Sequence, residues 1–205
     1  MKSILTLTTI ENQRSETFME ALVFRKIDYF CMTIRRKKQT EAMEKKIEIT
    51  ERDKEFMREA IRLADEHVKI GGGPFGAVVV KNGEIIAGSA NSVTLDNDPT
   101  AHAEVNAIRK ACRKLGTFDL SGCVIYTSCE PCPMCLGAIY WAHLDRIYYG
   151  NTRYDAFKIG FADDFIYKEL GKDLKDRTLP IVPLLRDEAQ SSFRLWQEKE
   201  DKTEY

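Results

Sequence analysis

The chain has no run of about 18 apolar residues, so no transmembrane helix is expected. Its first residues, MKSILTLTTIENQR, hold a short apolar stretch broken by threonines. With no convincing cleavage site after it, no secretory signal is expected, and the cytoplasm is the expected compartment. There is no internal repeat and no low-complexity tract, which argues against solenoid and fibrous architectures. Charge of one sign is also lacking: 31 Lys and Arg face 32 Asp and Glu. Histidine is scarce, with only His67, His102 and His143. Cysteine is limited to positions 31, 112, 123, 129, 132 and 135, the last three within a single short stretch. Without a secretion signal, that crowding favours metal binding over a disulfide framework.

What is present suits one soluble domain with an appendage: 205 residues, 43% hydrophobic and 31% charged. The charge is unevenly spread, about +4 over residues 1–46 and −5 over 47–205. An acidic main region is a poor match for a polyanion, because nucleic-acid binding relies on Lys and Arg displacing counterions. We therefore divide the chain into an N-terminal extension (1–47) expected to be poorly ordered, a main domain (48–190) and a C-terminal segment (191–205). RRKK at 35–38 could touch nucleic acid or membrane, but a solvated arm is the simpler reading. Met43 offers a second sensible translation start.

From residue 50 onward the elements alternate. Thr50 and Asp53 form a capping-box pattern, and Phe56, Met57, Ala60, Ile61, Ala64 and Val68 recur at helical spacing up to the glycines at 71–73. FGAVVVK and EIIAGSA flank Asn82-Gly83, which predicts a β-hairpin. Thr100 is expected to cap a helix that Gly116 ends, followed by a strand at 123–128, the helix PMCLGAIYWAH and the strand RIYYGN. The tail predicts a helix near 163–170, a short strand IVPLL and a last helix through Phe193, Leu195 and Trp196. A mixed sheet between helices follows.

Two short strings carry the chemistry: HAE at 102–104 and PCPMC at 131–135. A structural zinc site closes with four protein ligands, whereas a catalytic one keeps a place for water. His102, Cys132 and Cys135 supply three ligands, and Glu104 a carboxylate to work beside them. Both strings fall at expected helix starts, where free amide N–H groups stabilise thiolates. Cys129 also stands in C-x-x-C spacing with Cys132, and a closed site using all three cysteines and His102 is the alternative. Cys129 would have to reach back across the turn from a strand, so it is expected to pack nearby instead. Glu104 would take and return protons beside a metal-activated water; the plainer reading is a carboxylate complementing a helix dipole. His67 is expected on the surface, His143 at a helix end, and Cys31, Cys112 and Cys123 in packing roles.

H-x-E with P-C-x-x-C is the pattern of zinc deaminases that act on nucleobases, and at these residues the chain resembles the cytidine deaminase superfamily. That resemblance implies a three-layer α/β/α fold with a mixed five-stranded sheet. DPTAHAE (98–104) and EPCPMCLGA (130–138) are similar to the branch that holds guanine deaminases and tRNA adenosine deaminases. GGPFGAVVVK, YTSCEPCPMCLGAIYWA, FADDFIYKE and the terminal TEY together resemble bacterial guanine deaminases over about residues 50–205. The resemblance implies that Asn91 hydrogen-bonds a purine base, that Phe75 packs on it, and that Asp163 and Tyr205 complete its site. It also implies a homodimer with an exchanged C-terminal segment, Tyr205 reaching the partner's site. Alanine 162 and Asp164 depart from the expected pattern, so Asp164 is the alternative acid. On the residues alone, the plainer readings make Asn91 a turn residue, Phe75 core, Asp163 a helix cap and Tyr205 a frayed tail.

The expected activity is zinc-dependent hydrolysis of guanine to xanthine and ammonia, with a small purine base rather than nucleic acid as substrate. A tRNA adenosine deaminase and a guanosine or other aminated-heterocycle deaminase are the alternatives within the chemistry. A non-catalytic, zinc-stabilised binding protein is the alternative outside it, and would have no use for Glu104.

Overall fold

A computed structural model describes residues 48–204. The expectations for residues 1–47, including the start at Met43, and for Tyr205 lie outside the described residues.

Helix α1 (Glu51–Lys69) starts as its sequence predicts. Thr50 accepts from the Asp53 amide and Asp53 answers to the Thr50 amide, which satisfies two otherwise orphan donors. The chain then turns into β1 (Gly76–Lys81) and β2 (Glu84–Ala90), an antiparallel hairpin. Its two-residue turn has Asn82 and Gly83 at positive φ, 52° and 77°, as this tight turn requires. A short α2 (Val93–Asp96) leads to α3 (Ala103–Leu115), β3 (Cys123–Cys129), α4 (Pro133–Trp141) and β4 (Arg146–Asn151). Beyond these lie α5 (Arg153–Lys158), α6 (Asp164–Leu170), a 3-10 turn at Leu174–Asp176 and α7 (Arg186–Glu198).

The sheet order is β2-β1-β3-β4. β1 pairs antiparallel with β2 and β3, and β4 runs parallel to β3, so the sheet is mixed. Side chains alternate between its faces, as the strand period demands. Ala77, Val79, Cys123 and Ile125 pack with Ala107, Ile108 and Ala111 of α3 and Ile139 of α4. Val78, Val80 and Tyr126 face the other way, onto Phe56 and Ala60 of α1. The result is α1, sheet, then α3 with α4: three layers. The approach of α1 to the sheet is close because Gly76 has no Cβ; one there would overlap the Ala60 carbonyl oxygen.

Three expectations differ from what is observed. The sheet has four strands among the described residues, not five. IVPLL is irregular rather than a strand, with Val182 77% and Leu184 82% exposed. Within this chain it lies against neither sheet edge, and two prolines, Pro180 and Pro183, limit its backbone pairing. Thr100 does not cap α3 either. Its amide and hydroxyl both bond Asp98 Oδ1, and His102 takes the N-cap position.

Candidate metal centre and adjoining cavity

The starts of two helices bring the ligand residues together. His102 is the N-cap of α3 and Cys132 the N-cap of α4, both with extended backbone and neither with a side-chain capping bond. Their side chains are thus free to face each other. Cys135, one turn into α4, is fully buried. His102 Nδ1 lies 3.6 Å from Cys132 Sγ and 3.5 Å from Cys135 Sγ. All three ligand atoms fall within 4.8 Å of one another.

Those distances can be tested against zinc. Bonds of about 2.3 Å to sulfur and about 2.0 Å to nitrogen, meeting at a tetrahedral angle, hold N and S roughly 3.5 Å apart. The observed spacing fits, and the two sulfurs and one imidazole are donors that zinc favours. The local electrostatics set the two thiols apart. A hydrogen bond from Cys135 draws the Cys132 thiol well below its ordinary value despite burial, with His102 adding to the effect. Cys135 is shifted up by donating that bond and by burial. The Cys132 contact holds the His102 ring above its usual value against the opposing effect of burial. Cys129 is not in the group. Its Sγ faces the Thr152 carbonyl at 3.7 Å, and burial pushes its thiol up to about 11.

Glu104, in the first turn of α3, is 5% exposed. One carboxylate oxygen accepts from Thr127 Oγ1 at 3.1 Å and the other faces Cys135 Sγ at 3.4 Å. Burial raises its pKa. Glu104 lines a cavity of about 480 Å³ together with His102 and Cys132.

The rest of that cavity gathers Asn91, Phe75 and Asp163. Asn91 follows β2 and is 6% exposed; its Oδ1 accepts from the Val93 amide, which leaves its own N–H groups to offer. Its backbone amide donates to the Phe75 carbonyl, linking the two residues. Gly73 lies flat against the Asn91 side chain, where a Cβ would sit 2.8 Å from Oδ1. Asp163 precedes α6 and makes no capping bond; burial, then the negative Cys132, raises its carboxyl pKa. Asp164 does not line the cavity and pairs with Lys168.

Three neighbours escaped the sequence reading. Phe161 meets Phe75 edge-on, ring centroids 4.8 Å apart, and Glu130 adds a third acid to the cavity wall. His67, expected on the surface, is half-buried with Nδ1 3.1 Å from the Asn91 carbonyl oxygen. Only Glu130 carried a local signal, its place in the cysteine string. His143 is exposed and faces Asp119 at 3.6 Å, away from the site.

Comparison with known proteins adds the following. Residues 50–151 match the family described as cytidine and deoxycytidylate deaminase zinc-binding region. The chain is 54% identical over 151 residues to the guanine deaminase of Bacillus subtilis (strain 168), covering 73% of this chain and 97% of that protein. The crystal structure of guanine deaminase from Bacillus subtilis superposes with a TM-score of 0.72 at 53% identity, over 74% of this chain and 98% of that one. A tRNA-specific adenosine deaminase of Aquifex aeolicus (strain VF5) is 45% identical over 92 residues, 45% of this chain and 61% of its own length.

Proposed function

The chain belongs to the cytidine and deoxycytidylate deaminase zinc-binding family, and from that premise we propose that it hydrolyses guanine to xanthine and ammonia. One observation carries the choice of base. The likeness to a guanine deaminase runs over 97% of that protein, whereas the likeness to the tRNA enzyme stops at 61%. The α5–α6 region with Asp163 lies beyond the residues 50–151 matched by the family model.

His102, Cys132 and Cys135 would hold the zinc, which when bound supplies a Lewis acid that brings water near neutrality as a nucleophile. Glu104 takes the proton from the attacking water. A carboxylate held by Thr127 is oriented for this, and its raised pKa helps it return protons as well as accept them. A bond forms from the water oxygen to purine C2, and Glu104 passes the proton to the adjacent ring nitrogen. The proton of the new C2 hydroxyl then passes through Glu104 to the amino group, the C2–N bond breaks, ammonia leaves and the C2 carbonyl of xanthine remains. Asn91 offers amide N–H groups to acceptors of the base, Asp163 accepts from its N–H edge, and Phe75 with Phe161 packs on its ring faces. A buried set of such partners discriminates strongly, because an ill-matched base leaves polar groups unpaired.

We further assign a homodimer in which the C-terminal segment is exchanged. β4 is a sheet edge, and Leu179, Ile181, Val182, Leu184, Phe193 and Leu195 are all exposed within the single chain. So much apolar surface in one segment calls for a cover. IVPLL of a second copy, laid along β4, would supply the fifth strand, and as a new edge it tolerates proline. Tyr205 would then close the partner's cavity. Cys112, Cys123, Cys129, Cys132 and Cys135 are free thiols, which suits the cytoplasm. Among the described residues no helix is long and apolar enough to cross a membrane.

Ammonia release from zinc-loaded protein, compared across guanine, guanosine, adenine, cytosine, cytidine and an anticodon stem-loop, tests the assignment. Release from guanine is expected. Release from the stem-loop alone would replace this reading with the tRNA one.

A further inference from the structure

Helix α6 follows directly from Asp163 yet buries none of its own residues, and Phe165, Ile166 and Leu170 stand exposed. Phe161 packs on Phe75 before Asp163, but after it α6 has no core packing of its own. Polar contacts of Tyr167 tie that side down. The Tyr167 hydroxyl donates to the Pro131 carbonyl at 3.0 Å, the carbonyl directly before the ligand Cys132. The Asp163 carbonyl accepts from the Tyr167 amide at 3.4 Å, beside the Ile166 amide at 2.9 Å. One residue thus joins the backbone of the cavity acid to the backbone of the metal loop.

The ring of Tyr167 is held in turn. The Arg153 guanidinium lies 5.0 Å from its centroid and 5.5 Å from that of Tyr154. Arg153 is itself placed through its amide, which donates to Glu130 Oε2 at 3.1 Å, while the Glu130 amide donates to the Asn151 carbonyl at 2.8 Å. The chain of contacts closes on itself: Glu130, Arg153, Tyr167, Pro131. It starts and ends on the loop that carries Cys132.

We propose that Tyr167 is a positioning residue that latches α6 to the metal loop and so sets Asp163 against the substrate side of the cavity. The inference rests on the guanine reading for what Asp163 binds, but the latch itself rests only on these contacts. Tyr167 touches no reacting atom. Its loss should loosen Asp163 and weaken ground-state binding, with the proton chemistry of Glu104 left in place.

Tyr167→Phe keeps the ring and removes the hydroxyl. In the zinc-loaded full chain, amide exchange over residues 161–167 should quicken while zinc content stays unchanged. KM for guanine should rise about fivefold to tenfold, as loss of one hydrogen bond allows, with kcat within about twofold. Asp163→Asn should raise KM by itself, and adding Tyr167→Phe should then raise it little further. Arg153→Leu, which removes the stack and leaves the hydroxyl, should shift KM in the same direction. Unchanged exchange at 161–167, loss of zinc, or an equal KM effect of Tyr167→Phe with and without Asp163 would overturn the latch. Absence of guanine turnover in the unaltered protein would contradict the proposed reaction instead, and the exchange comparison would still decide the latch.

Discussion

Glu104 owes its chemical character to where α3 begins. Burial raises its pKa, and Thr127 holds its carboxylate. Glu104→Gln keeps the size and the hydrogen-bonding reach but cannot shuttle a proton. Zinc content should stay unchanged and kcat should fall about a hundredfold to ten-thousandfold, read as ammonia release beside elemental analysis. Retained turnover would remove the assigned role. The cysteines divide just as sharply: Cys135→Ser should cost the zinc, and Cys129→Ser should keep it, since the Cys129 thiol faces Thr152 rather than the ligand group. His102, Glu104, Cys132 and Cys135 were legible in the sequence because few residue types can bind zinc or move protons, and two short strings held all four. Phe161 and His67 were not. An aromatic ring or a lone histidine has no such restriction, and only the folded loops bring Phe161 onto Phe75 and His67 onto the Asn91 carbonyl.

At the level of elements, the helix starts and the hairpin were readable because their signals are local: Thr50 with Asp53, Asn82 with Gly83. The α3 cap was misread since Thr100 spends its hydroxyl on Asp98, a competition that sequence spacing does not reveal. Asp53 does more than cap α1. It also accepts from the Tyr126 hydroxyl of β3, tying the helix to the sheet. Burial works against its ionised form, yet bonds from Thr50 and Tyr126 prevail and hold the carboxyl below its ordinary value. A carboxyl with a depressed pKa in the folded state stabilises above the unfolded value of about 3.9 and loses that contribution as pH falls through the lower folded value. Asp53→Asn should therefore destabilise by about 1 kcal/mol near neutral pH, as weakening of hydrogen bonds to a charged acceptor does. Denaturant titrations should show the gap to the unaltered protein narrowing below about pH 4. A constant gap down to the acid limit would mean that the charge is irrelevant.

At the scale of the whole molecule, one chain is left with a sheet edge at β4 and an apolar C-terminal segment. IVPLL reads as a strand from its residues yet is irregular in the single chain; the proposed pairing with a second copy would leave no mark in the spacing of one chain. Val182→Asp with Leu184→Asp should shift the protein from dimer to monomer in sedimentation and lower guanine turnover, with zinc content unchanged. A dimer that survives both changes would place the interface elsewhere. Deleting Tyr205 should impair guanine turnover and spare both zinc and the dimer; unchanged kinetics would remove its closing role.

The central claim is that this zinc site deaminates free guanine. The most direct measurement is ammonia release from purified, zinc-loaded, full-length protein given guanine beside an anticodon stem-loop. The account predicts stoichiometric xanthine and ammonia from guanine and no inosine in the stem-loop; inosine without xanthine would contradict it.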